Sequence, residues 1–282
     1  MLAQPDRPGV TVSREMSDPK NLHVLPQMNA ASRQTVSRLL SPGDPDPVIV
    51  QNEGGSSSHV LVCDHAGREI PARLGRLGVA EPDLERHIAW DIGAGGLASK
   101  LSVALDACLV RQVYSRLVID CNRWPGQGDL VPPISDGTPV PANASLTARD
   151  VQDRIDAIHS PYHARIAAVL DDRASEPRPA TVVSVHSFTP AMNGADRPWH
   201  VGVLHGGDSP LSRRMLTMLM AEDGLVVGDN QPYALCETDY TVPRHAQGRG
   251  LDYLELEVRQ DLIADEAGHA RMAALLTKML QA

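Results

Sequence analysis

The sequence predicts an α/β fold in which an open sheet is covered on both faces by helices. Short apolar runs rich in Val and Ile, typical of buried strands, recur between residues 47 and 258. Segments with helical apolar spacing separate several of these runs. Because strands and helices alternate, we expect helices on both faces of the sheet and ligands beyond the carboxyl ends of its strands.

Length and charge limit the classes of partner. The 282 residues, 42% of them hydrophobic, can bury a full core in one large or two small domains. A net charge of -9 argues against nucleic acid or an anionic membrane surface as a partner, since both require a basic patch. An aromatic content of 3% provides few rings for base stacking. A small-molecule ligand is therefore expected.

The cysteines and the apolar runs predict a cytoplasmic protein. The four cysteines form no CxxC pair, and three of them lie inside apolar runs, as buried thiols do. No apolar run reaches the roughly 18 residues of a membrane helix, and the first 30 residues lack the apolar middle of a secretion signal.

The first half of the chain divides into a tail and the start of a domain. Residues 1–45 are polar and Pro-rich and predict a flexible tail or arm, followed by a single α/β domain over residues 46–282. In that domain we expect strands over 47–52 and 58–65, a helix over 83–105, and strands over 108–113 and 117–121.

The second half continues the alternation. A Pro- and Gly-rich loop is expected over 124–144, and then a helical region over 151–169 that the Ser-Pro pair at 160–161 divides into two helices. Strands follow over 181–188 and 200–206, then a helix over 211–220 and a loop over 231–250. A strand over 253–258 and a helix over 261–280 complete the chain.

Polar residues interrupt the apolar pattern at or near strand ends, where such sheets bind ligands. They are Asp64-His65, Asn122-Arg123, His186 and Glu257.

His65 and His186 suggest a metal site. Each imidazole follows a buried strand and precedes a small residue, although a single such histidine is more often structural. Catalytic zinc commonly takes two histidines and one carboxylate and keeps a position for water. Glu69 and Asp91 are the candidates for the carboxylate, and Asp91 has the alternative interpretation of a helix cap.

Charged residues beside these histidines suggest further roles. Glu255 and Glu257 share one face of a strand, and a carboxylate there either faces solvent or acts as a general base. Arg116 and the Asn122-Arg123 pair bracket an apolar run, and two fixed cations and an amide at the rim of a sheet predict a site for an anion.

Other motifs are weaker. No GxSxG, GxGxxG or GxxxxGK[ST] motif is present, so neither a serine nucleophile nor nucleotide binding is supported, and Cys121 is expected to be buried. Pro161 lies between His159 and His163, so these two need not share a face, and His163 is a separate candidate for lining the site. Arg244 and His245 are a possible anion contact or part of a solvated loop.

Seven segments together resemble the N-formylglutamate amidohydrolase family, in order and over nearly all of residues 46–265. They are CDHAGREIP, HIAWDIGA, SRLVIDCNR, SPYH, SVHSF, VPRH and LELEV. That family is similar to zinc carboxypeptidases and aspartoacylases. The resemblance implies their phosphorylase/hydrolase-like fold, a mixed, mainly parallel open sheet flanked by helices.

The resemblance also implies roles for individual residues. His65 and His186 would bind zinc, Glu257 would be the acid/base carboxylate, and Asn122-Arg123 would hold a substrate carboxylate. Arg116 could take a second carboxylate. The carboxypeptidase relatives have a glutamate three residues after the first histidine, where this chain has Arg68. The formylglutamate family has an aspartate in the HIAWDIGA segment, which favours Asp91 over Glu69 as the third ligand.

The activity implied is metal-assisted hydrolysis of N-formyl-L-glutamate to formate and L-glutamate, with zinc or another divalent ion. The alternatives are a carboxypeptidase-like or aspartoacylase-like hydrolase of another N-acyl amino acid or peptide, and a non-catalytic carboxylate-binding protein.

Overall fold

The computed structural model describes residues 39–175 and 180–282. Its strands are β1 (Val48–Gln51), β2 (His59–Cys63), β3 (Cys108–Gln112), β4 (Ile134–Ser135), β5 (Thr138–Pro139), β6 (Thr181–Phe188), β7 (Ala191–Met192), β8 (Ala195–Asp196), β9 (Val201–Leu204), β10 (Val227–Asp229) and β11 (Tyr253–Arg259). Its α-helices are α1 (Glu81–Leu84), α2 (Ala94–Leu105), α3 (Ala148–Arg154), α4 (Ser160–Arg173), α5 (Pro210–Met220), α6 (Thr241–His245) and α7 (Glu266–Leu280).

A seven-stranded mixed sheet in the order β1-β3-β2-β6-β11-β9-β10 forms the centre of the fold. The four middle strands, β3, β2, β6 and β11, run parallel to one another. β1 is antiparallel to β3 at one edge, and β9 is antiparallel to β11 and parallel to β10 at the other. The expected α/β fold with a mixed, mainly parallel open sheet is confirmed.

Each face of the sheet has its own apolar core. In β2, Val60 and Val62 point into one core while Leu61 and Cys63 point into the other. Helices α4 and α6 pack on the first face, and α2, α5 and α7 pack on the second. Burial on both faces explains why the central strands are almost continuously apolar. Among the described helices, none is long and apolar enough to cross a membrane.

The apolar run at residues 117–121 is buried but does not join the sheet, so the predicted strand is wrong here. The segment forms turns. Outside a strand ladder its carbonyl groups need other donors, and buried side chains supply them. Arg154 Nη1 donates to Val118 (2.8 Å), Asn143 Nδ2 to Leu117 (2.8 Å) and His163 Nε2 to Cys121 (2.7 Å).

The predicted helix over residues 83–105 is in fact two short elements separated by an irregular segment. α1 ends at Leu84, and α2 begins only at Ala94. Ile88 and Ala89 in the intervening segment are buried, which explains their apolar spacing without a helix. Gly93 has a left-handed backbone (φ 83°) and precedes α2.

The helical region before β6 is continuous rather than divided at Pro161. A π-helical turn over Ile155–His159 joins α3 to α4. The wider turn lies where Pro161 lacks the amide proton of a regular helix. His159 and His163 lie together, with ring centroids 4.4 Å apart, although we expected that they need not share a face.

Five further segments depart from the expected pattern. The loops contain two short hairpins, β4–β5 and β7–β8, and the edge strand β10 was not predicted. The loop expected over 231–250 contains α6. The last helix begins at Glu266, with Asp265 as its N-cap, rather than at residue 261.

The predicted tail boundary at residue 45 lies within packed structure. Residues 1–38 of the tail lie outside the described residues. Leu39 is buried in the first core, and the Asp44 carboxylate accepts hydrogen bonds from the backbone of Ser41 and Ala72. The chain from Leu39 onward therefore packs with residues 46–282.

Candidate active site

Residues from three parallel strands meet at one edge of the sheet. His65 follows β2 by two residues, His186 lies near the end of β6, and Glu257 pairs with His186 in register on β11. Because the strands are parallel, these side chains collect at the same edge, as expected for this class of sheet. They line a cavity of about 500 Å3.

His65, Asp91 and His186 form a compact buried cluster. One ligand atom from each of the three lies within 4.8 Å of the others. Asp91 Oδ2 is 2.9 Å from His186 Nδ1 and 3.4 Å from His65 Nδ1, and each residue is at most 3% exposed. Two imidazoles and a carboxylate are the donor set of many catalytic zinc sites.

The second ring nitrogen of each imidazole, Nε2, also contacts side chains of the protein. His65 Nε2 lies 2.7 Å from Asp120 Oδ1. His186 Nε2 lies 3.0 Å from Ser184 Oγ and 3.3 Å from Asp64 Oδ2. Such outer contacts set the orientation and tautomer of metal-binding histidines. Both rings are therefore oriented with Nδ1 toward Asp91.

The electrostatics of the cluster favour a cation. Burial by itself would lower the pKa of His65 and His186, but the neighbouring aspartates raise both above the ordinary range. Burial would likewise raise the pKa of Asp91, but the two histidines hold it far below its usual range. A divalent ion could replace the protons that this environment favours on the imidazoles, so the residues fit a metal.

Asp91, and not Glu69, joins this cluster. Glu69 is exposed, and its backbone pairs with the segment around Tyr114. Asp91 does not cap α2, because the cap position is Gly93 and no side chain caps that end. The Asp91 carboxylate instead faces the two histidines and Arg116.

Two glutamates of β11 extend into the cavity. Glu255 and Glu257 are 3% and 7% exposed, and both line the cavity, so the solvent-facing alternative is excluded. Burial raises the pKa of Glu257 to about 7 and that of Glu255 to about 8. Glu257 Oε2 has no hydrogen-bond partner among the described residues. It is a buried proton-accepting atom beside the histidine cluster.

The bracketing arginines are already paired with carboxylates of the chain. Arg116 Nη2 is 2.7 Å from Asp120, and its Nη1 is 3.3 Å from Asp91. Arg123 Nε is 2.7 Å from Asp129, and its Nη1 is 3.2 Å from Asp239. Both guanidiniums line the cavity.

Asn122 also lines the cavity, but its amide oxygen has a structural role. It accepts hydrogen bonds of 2.9 Å from the backbone nitrogens of Tyr240 and Thr241, at the start of α6. Its Nδ2 lies 3.4 Å from Asp239. Asn122 therefore connects the turn that carries Arg123 to α6.

Three residues expected to bind substrate lie outside the cavity lining. His163 donates from Nε2 to Cys121, and its Nδ1 is 3.0 Å from His245 Nε2. Burial lowers the pKa of both rings, that of His245 to about 4, so both are neutral near pH 7. Arg244 is exposed. The two histidines support the turn behind the site, and Cys121 is buried there as expected.

The sequence reasoning assigned no role to several residues of the site. Asp120, as the single charged residue in an apolar run, was a usable signal, and so was Asp64 beside His65. No comparable pattern marks the other residues, because loops that are distant in sequence bring them to the cavity. They are Tyr233 and Asp239, which line the cavity, and Arg197, which contacts its wall.

Solved structures provide independent comparisons. The chain is similar to a gene product from Agrobacterium tumefaciens, at 35% identity and a TM-score of 0.84, over 86% of this chain and 97% of that one. It shares its fold with an N-formylglutamate amidohydrolase from Ralstonia eutropha, at 18% identity and a TM-score of 0.58, over 83% and 96% of the two chains. No curated protein sequence gives a significant match.

A comparison with family profiles tests the family resemblance that was noted in the sequence. The profile of N-formylglutamate amidohydrolases matches residues 57–264, which include the metal-ligand candidates and both cavity glutamates. The resemblance is confirmed over most of the folded chain. The chain therefore belongs to the N-formylglutamate amidohydrolase family.

Proposed function

We propose that this amidohydrolase uses zinc to hydrolyse N-formyl-L-glutamate to formate and L-glutamate. The observation that carries the proposal is the convergence of the His65, Asp91 and His186 cluster with Glu257 in one cavity. The family assignment supports the hydrolysis of an amide bond. The free, mostly buried thiols of the described residues support a cytoplasmic location.

His65 and His186, each through Nδ1, and the Asp91 carboxylate would hold the ion. Zinc bound there supplies Lewis acidity, which polarises an acyl oxygen and lowers the pKa of water. Asp120 and Asp64 hold the imidazoles in orientation from the opposite side. The Arg116 guanidinium contacts both Asp91 and Asp120 and limits the repulsion between these two carboxylates.

Glu257 is the proposed acid/base residue. Its unpartnered Oε2 can accept a proton from the attacking water and then donate it to the nitrogen of the leaving amine. Burial raises the pKa of Glu257 to about 7, so its carboxylate takes up a proton more readily than that of an exposed glutamate. Glu255, with a pKa of about 8, is mostly protonated there and adds little competing negative charge.

Arg123 is the proposed anchor for the substrate carboxylate. Its Asp129 partner is half exposed, so a substrate carboxylate can replace it at low cost. The guanidinium fork then binds the two oxygens together. Arg116 is less available, because its partners Asp91 and Asp120 are almost fully buried. Arg116 therefore positions those carboxylates, and the second carboxylate of the substrate needs another partner.

A wider acyl group is the second candidate. The cavity of about 500 Å3 lies in the range that accommodates ligands larger than a formylated amino acid. Another N-acyl amino acid or a peptide therefore also fits the site. A comparison of formyl, acetyl and succinyl glutamate as substrates distinguishes the two candidates.

The first test measures metal content by plasma mass spectrometry together with formate release from N-formyl-L-glutamate. We expect about one zinc per chain, and His186→Ala should lose both the metal and formate release. His269→Ala, on α7 outside the cavity, is the matched control and should keep both.

Other outcomes discriminate between the candidates. A zinc-loaded protein that releases no formate would move the substrate to another N-acyl amino acid or peptide. A protein that binds no metal under any loading condition would contradict the mechanism and leave a non-catalytic carboxylate-binding protein.

A further inference from the structure

Arg197 is a cation at the cavity wall that no sequence pattern identified. It lies between β8 and β9. Its guanidinium donates to Tyr233 Oη (2.8 Å) and to Met192 Sδ (2.9 Å), and its centre is 6.0 Å from the Phe188 ring centroid. All three partners line the cavity. The guanidinium is therefore held against the cavity wall.

The pairing of Arg197 differs from that of the other two arginines. Arg116 and Arg123 each contact two carboxylates of the chain. Arg197 makes no ion pair with a carboxylate anywhere in residues 39–175 and 180–282. Its acceptors are a phenol and a thioether, which are neutral, and a thioether is a weak acceptor. A carboxylate would be a stronger partner than either.

We propose that Arg197, together with Tyr233, binds the side-chain carboxylate of an acidic N-acyl amino acid and so determines specificity for it. The inference rests on the proposed function, since it names the partner for the second carboxylate of that substrate. Arg123 anchors one end of the substrate, and Arg197 contacts the other. The substrate carboxylate replaces Met192 Sδ as the acceptor of the Arg197 guanidinium.

Tyr233 supplies a second donor to the same oxygen atoms. Its hydroxyl oxygen accepts from Arg197, and its hydroxyl group donates to Met192 Sδ at 3.9 Å, a weak acceptor that a substrate carboxylate can replace. Burial raises the pKa of Tyr233, so the phenol keeps that proton. The Arg197 guanidinium also lies 4.8 Å from the centroid of the Tyr233 ring, and this contact holds the two side chains together.

The experiment compares N-formyl-L-glutamate with N-formyl-L-glutamine, which has nearly the same shape without the charge. In the zinc-loaded enzyme we expect kcat/KM to favour the glutamate compound by about 10- to 100-fold, mainly through KM. Arg197→Gln should remove this preference by lowering kcat/KM for the glutamate compound alone. Arg197→Lys should restore part of it, because the charge returns without the fork.

The matched control is Arg271→Gln, an exposed arginine on α7, which should keep the preference. Calorimetry that compares the binding affinity for glutarate with that for its monoamide tests the same contact without turnover. An equal loss for both substrates in Arg197→Gln, or an unchanged preference, would overturn the proposal while leaving the hydrolase intact. The wild type could release no formate but bind glutarate, while Arg197→Gln does not bind it. That result would contradict the proposed reaction and support the carboxylate subsite at Arg197.

Discussion

At the residue scale, the two histidines of the cluster depend on carboxylates that do not face the proposed metal. Asp120 Oδ1 holds His65 Nε2 at 2.7 Å and also accepts from the Asn122 backbone nitrogen at 2.9 Å. Its Oδ2 accepts from Arg116 at 2.7 Å. One carboxylate thus orients a ligand, closes a turn and neutralises a cation. Both oxygens must be acceptors for all three contacts to exist.

Asp120→Asn provides a direct test of that arrangement. The asparagine amide has one oxygen in place of the two carboxylate oxygens. It therefore either loses the hydrogen bond with His65 or directs its NH2 group at the Arg116 guanidinium. We expect zinc affinity to fall by about 10- to 100-fold. Competition with a chromogenic chelator measures the change. Asp261→Asn, outside the cavity and paired with Arg259, is the control, and equal affinity in the two variants would contradict the prediction.

At the element scale, the irregular segment between α1 and α2 places Asp91 in the cluster. The segment ends at Gly93, whose left-handed backbone allows the chain to enter α2. A Cβ atom at Gly93 would lie 2.0 Å from the Ile263 carbonyl oxygen. Glycine is therefore required both by conformation and by the close approach of a neighbouring loop.

Gly93→Ala should reduce the free energy of unfolding by about 3 kcal/mol, since it adds a steric clash to the cost of a left-handed alanine. Gly250→Ala is the matched control, because Gly250 also has a left-handed backbone (φ 65°) but no atom within 4 Å of an added Cβ. We expect about 1 kcal/mol for the control. Urea denaturation measures both. Equal losses would show that the contact with Ile263 is unimportant.

At the scale of the whole molecule, the fold brings buried ionisable groups together at one edge of its sheet. Carboxyl groups lie there beside guanidiniums and imidazoles. They belong to Asp64, Asp91, Asp120, Glu255, Glu257, Arg116, Arg123, His65 and His186. A divalent cation held by the His65, Asp91 and His186 cluster would replace the protons on the imidazoles, and its binding energy would add to the stability of the folded chain.

Zinc should therefore raise the melting temperature. At a free zinc concentration about 100 times Kd the gain is about 2.7 kcal/mol. For a chain of this size that corresponds to roughly 5 °C. Calorimetry of the protein with zinc and with a chelator measures the shift. His186→Ala should lose it, and a wild-type melting temperature insensitive to zinc would contradict the prediction.

The local pattern of apolar residues was sufficient to predict a strand and the polar residue at its end. β2 and β6 were predicted from apolar runs and β11 from alternating apolar residues, and His65, His186 and Glu257 stood out as polar residues at or near the ends of these segments. Parallel pairing then brings such positions to one edge. Pattern failed at residues 117–121, because an apolar run records burial and not the identity of its hydrogen-bond partners.

The sequence by itself therefore determined the α/β class, the family and the two histidines of the proposed metal cluster. Only the tertiary structure decided that Asp91 joins the histidines, that His163 and His245 lie behind the site, and that Arg197 lies at its wall. The positions of strand ends can be predicted from the local, short-range pattern of apolar residues. Contacts between loops that are distant in sequence depend on how the whole chain packs, and no local period records them.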